Sequence, residues 1–219
     1  SKAYDGTTTM TGLTLGSSSL VTGDTVALAG SGVFAQSDAG QGLSYTVSGI
    51  ALSGADAANY YLNGTTFSVI GNGSNVGGVI SPKALSISGT TVANREYNAT
   101  NVAQFTLGTV SGYVTGESLG VTAAATFDSA NAGNRTATVT YTLADGSGGG
   151  KASNYILANT TQAAEITKKA LTITGTGAVD RDYDGTTTVA INLGTLSGFV
   201  GNETVTATAV GSLDSRNAG

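Results

Sequence analysis

The sequence predicts an all-β protein made of tandem small β-sandwich (Ig-like) repeats in a rod, with β-grasp-like units as the alternative architecture. Three observations lead to this fold class. Apolar and hydroxyl residues alternate at period two, glycine-rich breaks separate the alternating runs, and a set of landmarks recurs along the 219 residues. No segment shows a sustained 3.6-residue period, so no helix is predicted.

The alternating runs predict strands that have one buried face. Clear examples are residues 43–50, 85–88, 138–143 and 171–174. Threonine, valine, isoleucine and tyrosine favour a pleated, half-buried surface, and threonine hydrates the outer face without charge. Turns are predicted at the glycines between the runs, including Gly23, Gly116 and residues 146–150.

Four landmarks show that the chain is a sequence repeat. A tyrosine motif occurs three times, and Tyr4, Tyr97 and Tyr183 lie 93 and 86 residues apart. A second landmark ends in Ala-Gly and recurs at the same intervals, at 34–40, 127–133 and 213–219. Two more occur twice: an Asn-Tyr segment at 58–62 and 153–157, and a Lys-Ala-Leu segment at 79–89 and 165–175. Their common order establishes the repeat.

The order of the landmarks predicts where each repeat begins. If a repeat opens with its Lys-Ala-Leu strand, residues 83–168 are a complete repeat, 1–82 lack the first strand and 169–219 are truncated. We call these ranges the first, middle and third repeats. Incomplete units leave sheet edges unpaired, so frayed ends or head-to-tail association are expected. The alternative boundary, at the tyrosine motif, would make residues 1–82 complete.

The composition argues against several classes of function. The chain has no Cys and no His, and therefore lacks a thiolate nucleophile and the commonest general base and metal ligand. Nine Lys and Arg against 14 Asp and Glu give a net charge of −5, without the basic patch that nucleic-acid binding needs. No apolar run approaches the roughly 18 residues of a membrane span. We predict no enzymatic activity, no cofactor, no nucleic-acid partner and no membrane insertion.

The tyrosine motif is interpreted as structural. Its residues are a core tyrosine followed by a tight turn, in which Gly supplies a positive φ and Asp bonds its own backbone. Asn98 also tolerates left-handed geometry, so the middle repeat is expected to keep the turn and lose the charge. The competing interpretation, an acid beside a tyrosine hydroxyl, is weakened by that same substitution. The candidate residues are Tyr4, Asp5, Gly6, Tyr97, Asn98, Tyr183, Asp184 and Gly185.

The only candidate metal ligands are Asp180, Asp182 and Asp184, which match the first half of a calcium loop. That loop also needs a bidentate Glu at its twelfth position, where this chain has Ile191. A solvated acidic edge is therefore the favoured interpretation, and no metal is assigned.

The motifs together resemble a known family. Tyr-Asp-Gly-Thr-Thr, the segment at 49–60 and Ser-Pro-Lys-Ala-Leu at 81–85 resemble the YDG and MBG repeats of very large bacterial surface proteins. Those proteins are of the filamentous-haemagglutinin type, and many are exported by two-partner secretion. The middle repeat departs from the pattern at Asn98-Ala99 and at 145–150. The resemblance implies a repetitive extracellular segment of an adhesin on the bacterial cell surface.

Two functions are compared on this basis. The favoured one is a stalk or spacer that holds a distal binding region away from the cell, since the junctions at 80–84 and 166–170 are short and extended. The alternative is an adhesive module that recognises a glycan or another cell surface directly, which would need clustered exposed aromatic side chains. The expected partners are neighbouring repeats of the same chain and a host or bacterial surface ligand elsewhere in the parent protein.

The equivalent apolar landmarks are predicted to be buried, because they occupy one face of the alternating runs. They are Leu85, Ile87, Tyr97, Phe127, Val139, Tyr141, Tyr155, Leu157 and Ile166.

Overall fold

The computed structural model describes residues 1–17, 19–73 and 76–217. The regular elements of this part of the chain are strands and two 3-10 turns, which confirms the all-β prediction. The turns are Ala57–Asn59 and Ala152–Asn154. The strands are β1 Lys2–Ala3, β2 Ala27–Phe34, β3 Gly40–Leu43, β4 Tyr45–Ser53, β5 Phe67–Val69, β6 Gly78–Ser81, β7 Lys83–Ser88, β8 Thr91–Val92, β9 Arg95–Glu96, β10 Phe105–Thr106, β11 Thr109–Ser111, β12 Gly120–Phe127, β13 Gly133–Ala144, β14 Tyr155–Leu157, β15 Thr160–Thr167, β16 Thr172–Thr174, β17 Gly177–Ala178, β18 Thr188–Val189, β19 Ile191–Asn192, β20 Thr195–Ser197 and β21 Gly211–Ser212.

The chain forms two compact units that do not follow the sequence repeats one to one. Unit 1 contains residues 1–90, 106–124 and 140–160. Unit 2 contains residues 91–105, 125–139 and 161–219. Each unit therefore combines segments of two successive repeats.

Unit 1 contains three three-stranded sheets, of strand order β1-β6-β3, β2-β4-β5 and β11-β7-β14. Its core is a cluster of large side chains on the inward positions of these strands, where alternation places every second residue. The fully buried members are Tyr4, Phe34, Ile80, Leu85 and Tyr155. The tyrosine motif and the Asn-Tyr segment thus meet in one core.

Unit 2 has its own buried positions. Phe127, Val139 and Ile166 are at most 2% exposed, and the guanidinium of Arg95 lies over the Phe127 ring, 5.4 Å from its centroid. The pairs β16-β20, β17-β19 and β18-β21 are antiparallel. Strands β12, β13, β15 and β9 form a four-stranded sheet in that order, to which unit 2 contributes residues 125–127, 133–139, 161–167 and 95–96. Strand β10 pairs with β8.

Parallel strand pairing, which no local sequence signal predicts, occurs at three places in the described part of the chain. Strand β1 pairs with β6, β9 with β15, and β14 with β7. The first two are repeats of one arrangement, because Lys2 lies opposite Ile80 and Arg95 lies opposite Ile166. The strand before Tyr4 and the strand before Tyr97 therefore each pair with the strand that closes the same repeat.

The burial prediction is confirmed at six positions and is too strong at three. Leu85, Phe127, Val139, Tyr141, Tyr155 and Ile166 are buried. Ile87, Tyr97 and Leu157 are half-buried. Ile87 and Leu157 lie close to the ends of short strands, where fewer neighbours cover the side chain.

Candidate functional site

The turn of the tyrosine motif has the geometry expected from its sequence. The Asp5 carboxylate oxygen Oδ1 accepts a hydrogen bond from the Thr7 backbone N–H at 2.9 Å and one from the Thr7 hydroxyl at 2.8 Å. Gly6 has a φ of 77°. In the third repeat, Asp184 and Thr186 make the same two bonds at 2.9 and 2.8 Å, and Gly185 has a φ of 75°. The structural interpretation of Asp5, Gly6, Asp184 and Gly185 agrees with this geometry.

The middle repeat preserves the turn in a way that corrects the expectation for Asn98. Asn98 replaces the Asp and accepts the Thr100 N–H at 3.1 Å, but the left-handed residue is the next one, Ala99, with a φ of 61°. Ala99 occupies the position that glycine has in the other copies. A side chain with a Cβ is disfavoured in this region, so the middle turn carries backbone strain.

A cation two residues before each tyrosine holds the turn, a feature that the sequence analysis missed. Lys2 is buried, and its Nζ lies 2.5 Å from Asp5 Oδ1 and 2.8 Å from the Thr7 carbonyl. Burial acts to raise the pKa of the Asp5 carboxyl, but the hydrogen bonds from Lys2 and Thr7 outweigh it and lower the pKa to about 2. The recurring Lys or Arg before the tyrosine was the available sequence signal.

The same cation position is occupied by arginine in the other two repeats. Arg95 donates hydrogen bonds to Asn98 Oδ1 and to the Thr100 carbonyl. Arg181 bonds the Asp184 carboxylate, and its hydrogen bond, together with those of Thr186, lowers the Asp184 pKa to about 2. Each turn is therefore closed by a positive side chain over its own backbone.

Tyr4 connects the first repeat to the middle repeat within unit 1. Its backbone N–H donates to the Ser81 carbonyl at 2.8 Å, which fixes the tyrosine beside the closing strand of the first repeat. Its phenol donates to Glu117 Oε1 of the middle repeat at 2.6 Å. The side chain is buried, and this burial together with the Glu117 carboxylate raises the Tyr4 pKa to about 12.

Tyr155 meets the same carboxylate from the other side. Its phenol donates to Glu117 Oε2 at 2.8 Å and accepts the Val114 backbone N–H at 2.9 Å. Its ring makes edge-to-face contacts with Tyr4 and Tyr113, at centroid distances of 5.4 and 5.9 Å. Burial and the Glu117 carboxylate raise the Tyr155 pKa.

The residue before Tyr155 makes a second contact between the two repeats. Asn154 is fully buried; its Oδ1 accepts the Ala39 backbone N–H at 2.8 Å and its Nδ2 donates to Asp38 Oδ1 at 3.0 Å. Asp38 also pairs with Lys151 at 2.5 Å. The hydrogen bonds from Asn154 and then from Lys151 lower the pKa of Asp38.

Unit 2 contains the counterpart of the Tyr4 contact. The Tyr97 backbone N–H donates to the Thr167 carbonyl at 2.9 Å, and its phenol donates to the Glu203 carboxylate of the third repeat. The Glu203 hydrogen bond raises the Tyr97 pKa. Since Glu203 lies 86 residues after Glu117, one tyrosine–carboxylate contact occurs twice, each time between successive repeats.

In the first repeat, the tyrosine of the Asn-Tyr segment, Tyr60, bonds a carboxylate and a backbone N–H as Tyr155 does in the middle repeat. The Tyr60 phenol donates to Asp24 Oδ2 at 2.6 Å and accepts the Val21 N–H at 2.9 Å. Asp24, Glu117 and Glu203 occupy equivalent turns, and the N–H of each donates to the carbonyl three residues earlier. The carboxylate turn is thus a constant feature of the repeat.

Tyr183 differs from the other two tyrosines of the motif. Its side chain is 66% exposed, so the expectation of a core position is wrong for this copy. The reason is physical: Tyr4 is covered by Tyr155 and bonded to Glu117, whereas the described residues around Tyr183 supply no ring contact or carboxylate bond of that kind.

The structure does not bring the acidic side chains at the start of the third motif together as a cluster of ligands. No three His, Cys, Asp or Glu side chains among the described residues are grouped so that they could hold a metal ion. Asp184, one of the three candidates with Asp180 and Asp182, directs its carboxylate to Arg181 and Thr186. Nor is any helix in the described ranges long and apolar enough to cross a bilayer.

These observations define an all-β repeat protein in which a motif tyrosine, buried at Tyr4 and half-buried at Tyr97, bonds the carboxylate turn of the next repeat. The chain belongs to the YDG domain family, which it matches over residues 1–67, 81–163 and 167–219. Comparisons with curated proteins and with solved structures found no match.

Proposed function

We propose that this chain is a run of structural spacer repeats in a bacterial cell-surface adhesin, which holds a distal binding region away from the cell. The observation that carries the proposal is the repeated contact between successive repeats. Tyr4 bonds Glu117 and Tyr97 bonds Glu203, so the first and the middle repeat each contribute a tyrosine hydroxyl to the repeat that follows. Both contacts lie inside the compact units, so they stabilise units that are each built from two successive repeats, as a folded spacer requires.

The chemistry of the tyrosine–carboxylate contact suits this role. A phenol–carboxylate hydrogen bond is charge-assisted and therefore stronger than a bond between neutral groups. In unit 1 this bond lies beside the ring of Tyr155, which makes edge-to-face contacts with Tyr4 and Tyr113. The proposed architecture is a rod of small β-sandwich units, exported and displayed outside the cell, with neighbouring repeats as its direct partners and no catalytic step.

Small-angle X-ray scattering of the 219-residue chain tests the spacer. By size scaling of its units, a rod would have a maximum dimension on the order of 80–100 Å. A radius of gyration near the roughly 17 Å of a globular protein of this length would contradict the proposal.

The second candidate is an adhesive module that binds a glycan or another cell surface directly. The observation in its favour is that three aromatic side chains in the described ranges are exposed: Tyr61 at 88%, Phe67 at 56% and Tyr183 at 66%. A glycan array with the chain separates the two functions. The spacer predicts no saturable binding, whereas saturable binding that the Tyr61→Ala and Phe67→Ala variants abolish would favour the adhesive module.

A further inference from the structure

The parallel strand pairs of the described chain have one feature in common. Strand β1 pairs with β6 in the first repeat, and β7 with β14 and β9 with β15 in the middle repeat. In each pair, one strand lies near the beginning of its repeat and the other near the end. In the middle repeat, Lys83 lies opposite Tyr155 and Arg95 opposite Ile166, partners that are 72 and 71 residues apart. Each pair thus places an opening and a closing strand of one repeat side by side, running in the same direction.

The same hydrogen bonds reinforce the pair in two successive repeats. In the first repeat, the Tyr4 N–H donates to the Ser81 carbonyl at 2.8 Å, and the Ser81 hydroxyl donates to the Lys2 carbonyl at 3.3 Å. In the middle repeat, the Tyr97 N–H donates to the Thr167 carbonyl at 2.9 Å. The Thr167 hydroxyl donates at 3.3 Å to the β9 carbonyl that is equivalent to that of Lys2. The bonds across β1-β6 therefore recur across β9-β15.

The closing strand of each of these two pairs is anchored in a core. Ile80 of β6 is 1% exposed and Ile166 of β15 is 0% exposed. The opening strands lie at sheet edges, because the strand orders are β1-β6-β3 and β12-β13-β15-β9. An edge strand has its ladder bonds on one side, so β1 and β9 are held in their sheets through the closing strand.

Tension along the chain acts on such a pair in shear. A pull on both ends of a repeat draws the opening strand towards its N-terminus and the closing strand towards its C-terminus. Because parallel strands have their N-termini at the same end, the two strands are drawn past each other lengthwise, and the bonds between them carry the load together. An antiparallel pair under the same pull is peeled open from one end, and its bonds break one after another.

Equilibrium stability does not favour this arrangement, since a parallel pair is slightly less stable per residue than an antiparallel one. Resistance to force depends instead on the barrier to unfolding. We infer that β1-β6, β7-β14 and β9-β15 are mechanical clamps, by which the repeats bear tension applied along the chain. The inference goes beyond the spacer function, because the clamps are a property of the fold and would act equally in an adhesive module.

Single-molecule pulling in two directions tests the clamp at β9-β15. The chain has no Cys, so two introduced cysteines define where DNA handles attach in optical tweezers. Ala93→Cys with Lys168→Cys places the handles at opposite ends of the pair and loads it in shear. Ala93→Cys with Ala163→Cys places both handles at the N-terminal end and peels it. At one loading rate, we expect a rupture force at least about twofold higher in shear, since the bonds then share the load.

The length gained identifies the molecules to compare. Complete opening between the handles releases 75 residues in the shear protein and 70 in the peeled one, which corresponds to about 250–270 Å and about 230–250 Å. The three substituted side chains are exposed, so the two double variants should have the same urea midpoint. Equal rupture forces in the two directions, or a lower force in shear, would overturn the clamp.

A second set of handles covers the case in which one of these variants fails to fold. Pro82→Cys with Ala158→Cys loads β7-β14 in shear, and Pro82→Cys with Ser153→Cys peels it. The clamp again requires the higher force in shear, and equal forces at this pair would overturn it. A compact shape in the scattering experiment would contradict the spacer and leave this difference in force unchanged, so the two proposals fail separately.

Discussion

The phenol of Tyr4 donates a hydrogen bond to the carboxylate of Glu117, 113 residues further along the chain, at 2.6 Å. Glu117 receives Tyr155 on its other oxygen, so one carboxylate holds two tyrosines from two different repeats. The strand before Tyr4 pairs with the closing strand of the first repeat, and the Tyr4 N–H donates a hydrogen bond to Ser81 of that strand. That pairing places the phenol next to the repeat that follows.

Removing the Tyr4 hydroxyl should destabilise unit 1. Tyr4→Phe retains the buried ring and deletes one hydrogen bond to a charged group, so we expect a loss of about 1.5–3 kcal/mol in the free energy of unfolding. Urea denaturation followed by circular dichroism measures it. Tyr61→Phe is the control, because Tyr61 is 88% exposed and should change little. A double-mutant cycle with Glu117→Gln should give a coupling of at least about 0.5 kcal/mol, and strict additivity would contradict the contact.

Alkaline pH should weaken the same unit. The pKa of Tyr4 is raised from 10.0 to about 12, so the folded state favours the protonated phenol. The stabilisation is complete below pH 10 and is lost as the pH rises from 10 to 12. Urea unfolding across this range should show a falling stability, with a shallower fall in Tyr4→Phe. An equal slope in both proteins would show that Tyr4 ionises alike in the folded and unfolded states.

Ala99→Gly should stabilise the chain. Ala99 has a φ of 61°, where a Cβ is unfavourable and glycine is not. After the greater entropy that glycine has in the unfolded state is subtracted, we expect a gain of about 0.5–1 kcal/mol. Gly185→Ala is the matched reverse change, since an added Cβ there would meet only Tyr183 Oη at 3.9 Å. It should cost about 1 kcal/mol through backbone strain alone. A destabilising Ala99→Gly would refute the strain at this turn.

Phe127→Ala should be strongly destabilising. Phe127 is 2% exposed in the core of unit 2, and truncation of a buried phenylalanine costs about 3–5 kcal/mol. Thermal and urea unfolding measure the change. Phe67→Ala, at a side chain that is 56% exposed, should stay within about 1 kcal/mol. Comparable losses in the two variants would contradict the burial difference.

The sequence by itself determined the class of fold and the local turns. Alternation at period two placed strands at 85–88 and 138–143, which lie within β7 and β13. The Asp-Gly pairs predicted tight turns with a positive φ, because glycine adopts that conformation without steric cost. These features depend only on a residue and its near neighbours, and for that reason the local sequence predicts them.

The tertiary structure alone decided which strands are partners and whether the motif tyrosine is buried. Alternation encodes which face is buried but neither the direction nor the identity of the neighbouring strand, so the parallel pairs β1-β6 and β14-β7 had no sequence signal. Tyr4 and Tyr183 have nearly identical local sequences, yet one is 4% and the other 66% exposed. Their difference comes from Glu117 and Tyr155, which reach Tyr4 only because the chain folds a distant segment against it.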